Sequence, residues 1–155
     1  SATFRNAYLT GAHELRHGTL PPRPNTHGGY LAAVTMPQLF DSLAVRVRSE
    51  DVGGLTATIG IELTDIDERW TLGLAHRALH YRRGLPGGPD SPTGVEPDVI
   101  VRIRRDELIS VATADTTFAD LVAAGAIAVD GDTAALDAVF SNLDVFMTGF
   151  PVAEP

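Results

Sequence analysis

Between residues 57 and 74 the chain changes character at every second position. Ala57, Ile59, Ile61 and Leu63 are apolar with Thr58, Gly60 and Glu62 between them, and Trp70, Leu72 and Leu74 are apolar with Thr71 and Gly73 between them. Successive side chains of a β-strand point to opposite faces, so each stretch can bury one face and leave the other outside. Asp65-Ile66-Asp67-Glu68 supplies turn residues between the two, which makes the pair a hairpin. A lone hairpin is marginal in water, so the remaining chain must cover its apolar face.

Helices elsewhere can supply that cover. Met36, Leu39, Phe40, Leu43, Ala44 and Val47 recur at helical spacing and share one side of a helix over residues 36–47, with Pro37 suited to its first turn and Thr35 to its cap. A shorter helix is expected over residues 5–17, after which Gly18 to Asn25 holds three prolines and reads as a linker. A third strand is expected over Ala78 to Arg82. Val99, Val101 and Ile103 give another, with Arg102 and Arg104 on its outer face. Residues 84–97 carry four glycines and four prolines, an irregular loop.

The last third is helical in pattern. Asp115-Thr116-Thr117 can cap a helix from Phe118 to Ala124, Gly125 can end it, and Ala126 to Val129 runs extended into the turn Asp130-Gly131-Asp132. A final helix follows, with Leu136, Val139, Phe140 and Leu143 on its buried face, and the tail Val145, Phe146, Met147 and Phe150 is apolar. This order predicts an α+β fold: an antiparallel-rich sheet of about five strands covered on one face by helices.

His13-Glu14-Leu15-Arg16-His17 fits H-E-x-x-H, in which two histidines share one helical face and can ligate a zinc ion while the glutamate polarises its water. A third ligand is missing at the expected spacing, since Leu20 and Arg23 stand where H-E-x-x-H-x-x-G-x-x-H needs Gly and His. Only twelve residues precede His13, too few for the sheet that lines a zinc peptidase cleft. A zinc peptidase is thus the weakest reading, and no metal ligand is assigned.

Charge narrows the partners. Twelve Lys plus Arg against twenty Asp plus Glu leave a net charge of −8, which disfavours nucleic acid and anionic membranes. No apolar run reaches the length of a membrane span, so a soluble protein is expected. Cysteine is absent, which excludes disulfide and thiolate chemistry. Ser1-Ala2-Thr3 has neither an initiator methionine nor a signal peptide pattern, so the expectation is a cut piece of a longer protein, begun by tag residues, whose localisation stays unread.

Two stretches carry a resemblance. "DVIVRIRRDELISV…TTFADLVAAGAIAVDGDTAALDAVFSNL", residues 98–143, resembles the sterol-carrier-protein type 2 fold family, with Gly125 to Asp132 as its G-x-I-x-V-x-G-D crossing. "MPQLFDSLAVRV", residues 36–47, is similar to the start of this domain in the C-terminal part of bacterial alkyl sulfatases of the metallo-β-lactamase superfamily. "RNAYLTGAHELRHG", residues 5–18, resembles the tail of their preceding dimerisation domain. The resemblance implies that residues 1–25 are a tail helix and linker and that residues 26–155 are a sterol-carrier-protein-like domain. For the parent it implies hydrolysis of alkyl sulfate esters at a binuclear zinc centre built on H-x-H-x-D-H. That string is absent here, so the chain itself is expected to carry no cofactor and no catalytic residue.

The resemblance also implies an apolar cavity for an aliphatic ligand. Ile59, Ile61, Leu63, Trp70, Leu72 and Leu74 offer one apolar sheet face for it. Leu39, Phe40, Leu43, Leu121, Phe140 and Phe146 offer the helical cover. Burying roughly ten methylenes at about 0.8 kcal/mol each gives about 8 kcal/mol gross, less several for ordering. The expected partners are a long-chain aliphatic ligand or alkyl sulfate, the catalytic domain of the same parent chain and a second copy in a homodimer. The alternative is a docking or oligomerisation module without ligand, in which those twelve residues are simply core.

Overall fold

The computed structural model describes residues 1–19, 23–24, 33–85, 96–145, 147–148 and 152. It divides into two units, Ser1–Thr26 with Val145–Pro155, and His27–Asp144. Most of loop 84–97, together with His27, Phe146 and Phe150, lies outside the described residues.

The smaller unit contains helix α1 (Ala2–His17), which begins earlier than residue 5 and ends at Gly18 with φ 81°. Its short strands β1 (Arg23–Pro24) and β7 (Met147–Thr148) pair antiparallel.

In the larger unit, helix α2 (Met36–Ala44) starts as its sequence dictates. Gln38 N–H donates to Thr35 Oγ1 at 3.5 Å and Thr35 N–H to Gln38 Oε1 at 2.8 Å, a reciprocal cap that satisfies two otherwise orphaned donors. The helix stops short of Val47, which instead forms an isolated antiparallel bridge with Leu143.

Strands β2 (Ala57–Leu63) and β3 (Glu68–Ala75) form the expected hairpin, with Ile59 opposite Leu72 and Ile61 opposite Trp70. Strand β4 (Ala78–Arg83) adds antiparallel to β3 through a two-residue turn in which His76 and Arg77 both have positive φ, 53° and 66°. Strand β5 (Val99–Ile103) lies on the other side of β2 and runs parallel to it, Ile61 beside Val101. Strand β6 (Ala128–Gly131) closes that edge, giving the order β4-β3-β2-β5-β6.

The sheet is therefore mixed, which corrects the antiparallel-rich expectation. A parallel pair needs a crossover of a dozen or more residues, and the segment between Arg83 and Val99 is long enough to return the chain to the starting end of β2. Sequence alternation marks a strand but not the direction of its neighbour.

Helices α3 (Arg105–Ala112), α4 (Phe118–Ala123) and α5 (Ala134–Phe140) complete the unit. Helix α3 was not assigned from the residue pattern, yet it buries Leu108, Ile109, Val111 and Ala112. Glu107 caps its start by accepting the Arg104 N–H at 2.9 Å. Gly131 has φ 116°, and a Cβ there would lie 2.3 Å from the Asp98 carbonyl oxygen, so only glycine fits this turn between β6 and α5.

The core lies on the face of the sheet that carries residues 57, 59, 61 and 63, where α5 packs against β2 and α2 against β4. Among the described residues no helix is long and apolar enough to cross a membrane.

Candidate functional site

Helix α4 is six residues long and owes its position to its cap: Asp120 N–H donates to Thr117 Oγ1 at 3.1 Å, and Thr117 N–H to Asp120 Oδ2 at 3.2 Å. Gly125, with φ 66°, ends the turn and returns the chain toward β6. Asp132 then accepts the Ala134 N–H at 2.9 Å and starts α5. Two short helices flanking one edge strand leave a gap that their side chains do not fill.

That gap is an open pocket of about 340 Å³. Helix α4 contributes Phe118, Ala119, Val122 and Ala123, and β6 contributes Val129. Helix α5 adds Leu136 together with Thr133 and Asp137, the two polar lining residues. Phe118 and Leu136 also belong to the hydrophobic core, so the pocket opens directly off it. Val122 is 47 % exposed, an apolar side chain that the fold leaves uncovered.

The residues singled out from sequence lie mostly deeper. Ile59, Ile61, Leu63, Trp70, Leu72 and Leu74 share the inner sheet face with Leu39, Phe40 and Leu43 of α2, all buried in one cluster. Phe40 sits at its centre, its ring 5.4 Å from that of Trp70 and 5.3 Å from that of Tyr81. Leu121 and Phe140 are partly buried against the same cluster, and Phe146 is outside the described residues. None of the eleven described ones lines the pocket, although Phe140 holds Phe118 by an edge-on ring contact at 4.8 Å. The lining was missed because its residue types are those of any short helix. The available signal was the pairing of Phe118 with Val122, and of Thr133 with Asp137, each one helical turn apart.

Charged groups gather elsewhere. On the outer sheet face Glu62 pairs with Arg102 at 2.8 Å and with Arg69 at 3.5 Å, a cross-strand triad on partly solvated ground. Arg46 donates to the carbonyls of Ala112 and Asp144, both at 2.6 Å; its burial pulls the guanidinium pKa down, against the raising effect of Asp144. Tyr81 donates to Asp41 at 2.9 Å, and that hydrogen bond, then burial, then the Asp41 charge, raise its pKa.

The H-E-x-x-H string lies in the other unit. His13 and His17 stand with ring centroids 4.7 Å apart on α1, as their spacing dictates. Glu14, the would-be base, accepts the Val152 N–H at 2.7 Å. Among the described residues no group of three or more His, Asp or Glu is placed to hold a metal ion.

Residues 25–155 match the family described as alkyl sulfatase C-terminal. A linear primary-alkylsulfatase of Pseudomonas sp. is 30 % identical over 157 residues, covering 100 % of this chain and 22 % of that protein. An alkyl/aryl-sulfatase of Saccharomyces cerevisiae is 26 % identical over 155 residues, covering 100 % of this chain and 23 % of its own length. The solved structure of the stereoselective inverting sec-alkylsulfatase Pisa1 from Pseudomonas sp. superposes with a TM-score of 0.69 at 29 % identity, over 92 % of this chain and 22 % of that one. The chain thus spans about a fifth of the length of these relatives.

Proposed function

We propose a function from one established premise: the chain belongs to the alkyl sulfatase C-terminal family. It acts as the non-catalytic C-terminal module of an alkylsulfatase, and it holds aliphatic chains in the open pocket between α4, β6 and α5. The pocket lining carries this reading. Six of its eight residues are apolar, and the exposed Val122 offers surface that an alkyl chain can cover. The packed residues from Ile59 to Leu74, with Leu39, Phe40 and Leu43, are the core of the unit in this reading and not part of the pocket, while Phe140 supports the lining residue Phe118.

Catalysis in this reading belongs to the rest of the parent. The binuclear zinc implied for such an enzyme has no H-x-H-x-D-H among these 155 residues, so no step of ester hydrolysis is routed through them. The relatives' names speak for alkylsulfatases, and the part of their length matched here supplies a place for the tail of the molecule.

Titration calorimetry with straight-chain alcohols of increasing length tests the pocket. Each added methylene should tighten binding roughly fourfold, from about 0.8 kcal/mol per group, until the pocket is full. Val122→Arg should abolish the heat without lowering Tm. Absence of saturable binding at every length, with the protein folded, removes the reading.

A second reading concerns the smaller unit. Phe4, Tyr8 and Leu15 share one face of α1 and are 70 %, 78 % and 72 % exposed. That face suits docking of residues 1–25, as a tail of a preceding dimerisation region, on a second copy or on another part of the parent. Light scattering of the chain and of Tyr8→Glu separates dimer from monomer; a monomer in both cases removes the second copy as the occupant.

A further inference from the structure

Two polar side chains, the Thr133 hydroxyl and the Asp137 carboxylate, interrupt the apolar lining, and the charge around them is one-sided. We propose that this pocket selects an uncharged aliphatic alcohol over an alkyl sulfate anion, and so receives the released product of ester hydrolysis rather than the substrate. The inference rests on the aliphatic-pocket reading above and adds the end group.

Asp137 is the one charged residue of the lining, and it makes no ion pair with a described residue. Thr133 beside it makes no capping hydrogen bond, so its hydroxyl is available. An alcohol O–H can donate to the Asp137 carboxylate and its oxygen can accept from Thr133. A sulfate monoester is an anion with acceptors only, and it brings like charge to the carboxylate.

The surroundings offer it no compensation. Residues 106–155, which supply every lining residue, contain nine Asp or Glu and no Arg, Lys or His. The arginines that reach this part of the fold are spent on other acceptors. Arg46 bonds the Ala112 and Asp144 carbonyls, Arg48 bonds those of Ser141 and Leu143, and Arg102, beside β6, pairs with Glu62. At the helix starts, Asp132 accepts the Ala134 N–H of α5 and Thr117 accepts the Asp120 N–H of α4. Strong anion sites are built around guanidinium or ammonium groups, and the lining presents neither.

Hydrolysis of an alkyl sulfate by water gives the alcohol and hydrogen sulfate. The alcohol keeps the tail and loses the charge, so a pocket of this chemistry draws product away from a centre that binds anions.

Decanol, decyl sulfate below its micelle concentration and decyltrimethylammonium are titrated in parallel into the 155-residue chain, into Asp137→Asn and into Asp137→Arg. Decanol should bind at least tenfold tighter than decyl sulfate, and the ratio should narrow at least threefold in Asp137→Asn and further in Asp137→Arg. Equal binding of decanol and decyl sulfate, a ratio unmoved by both substitutions, or tightest binding of the ammonium compound overturns the selectivity while leaving an aliphatic pocket in place. Binding of none of the three overturns the pocket itself and the selectivity with it.

Discussion

Phe140 meets Phe118 edge-on, with ring centroids 4.8 Å apart and planes at 76°. The contact joins α5 to α4, and it gives a residue outside the pocket lining control over one inside it. Phe140→Ala should cost about 3 kcal/mol or somewhat less, at or below the lower end for truncating a fully buried ring, because Phe140 is partly buried. Thermal denaturation measures that loss. The same variant should weaken alcohol binding by loosening Phe118, whereas Phe140→Leu should restore most of the stability and part of the affinity. Unchanged affinity in Phe140→Ala would show that Phe118 holds its place unaided.

Asp98 ties three strands together at one end of the sheet. Its carboxylate accepts the Thr58 N–H at 2.6 Å, its N–H donates to the Thr58 carbonyl at 2.8 Å, and its own carbonyl accepts the Asp132 N–H at 2.8 Å. Asp98→Ala removes only the first of these, and should cost about 1–2 kcal/mol for a donor left without its charged acceptor. Asp98→Asn keeps an acceptor and should recover at least half. Chemical denaturation compares the two.

The β3–β4 turn sets an ordinary histidine and arginine where the backbone needs left-handed residues. His76 and Arg77 both have positive φ, the arrangement of a type I′ hairpin turn that Asn-Gly fills without strain. The pair His76→Asn with Arg77→Gly should therefore raise stability, by about 1 kcal/mol or somewhat more, since each non-glycine residue there costs of that order. A fall in Tm would mean that these side chains make contacts worth more than the strain.

Tyr81 gives the alkaline limb of the stability curve a defined sign. The Asp41 hydrogen bond raises its pKa in the folded state, so the protonated phenol is favoured by folding. That contribution is complete below the unfolded value of about 10 and is lost as pH rises through the higher folded value. Absorbance titration should show one tyrosine ionising above the ordinary range, and Asp41→Asn should bring it back toward that range.

Local elements were legible where one residue type has one physical use. The alternation from Ala57 to Leu74 yields the hairpin, and Thr35 and Thr117 start helices because each offers an oxygen to an orphaned N–H. Helix α3 escaped the residue pattern because its eight residues make barely two turns, too few for its apolar face of Leu108, Ile109, Val111 and Ala112 to repeat. The parallel placement of β5 depends on the crossover and not on its own alternation. The pocket escaped for a further reason: Ala119, Ala123 and Val122 become a lining through the shortness of α4 and α5, a property of spacing between elements.

The parallel pairing of β2 with β5 also has a consequence for synthesis. Strands β2, β3 and β4 leave the ribosome as a self-contained meander, while the other edge of β2, rich in isoleucine, waits for Val99–Ile103 some forty residues later. Until then it is an open template for a foreign strand, so any translational pause or truncation upstream of Val99 yields an aggregation-prone nascent chain.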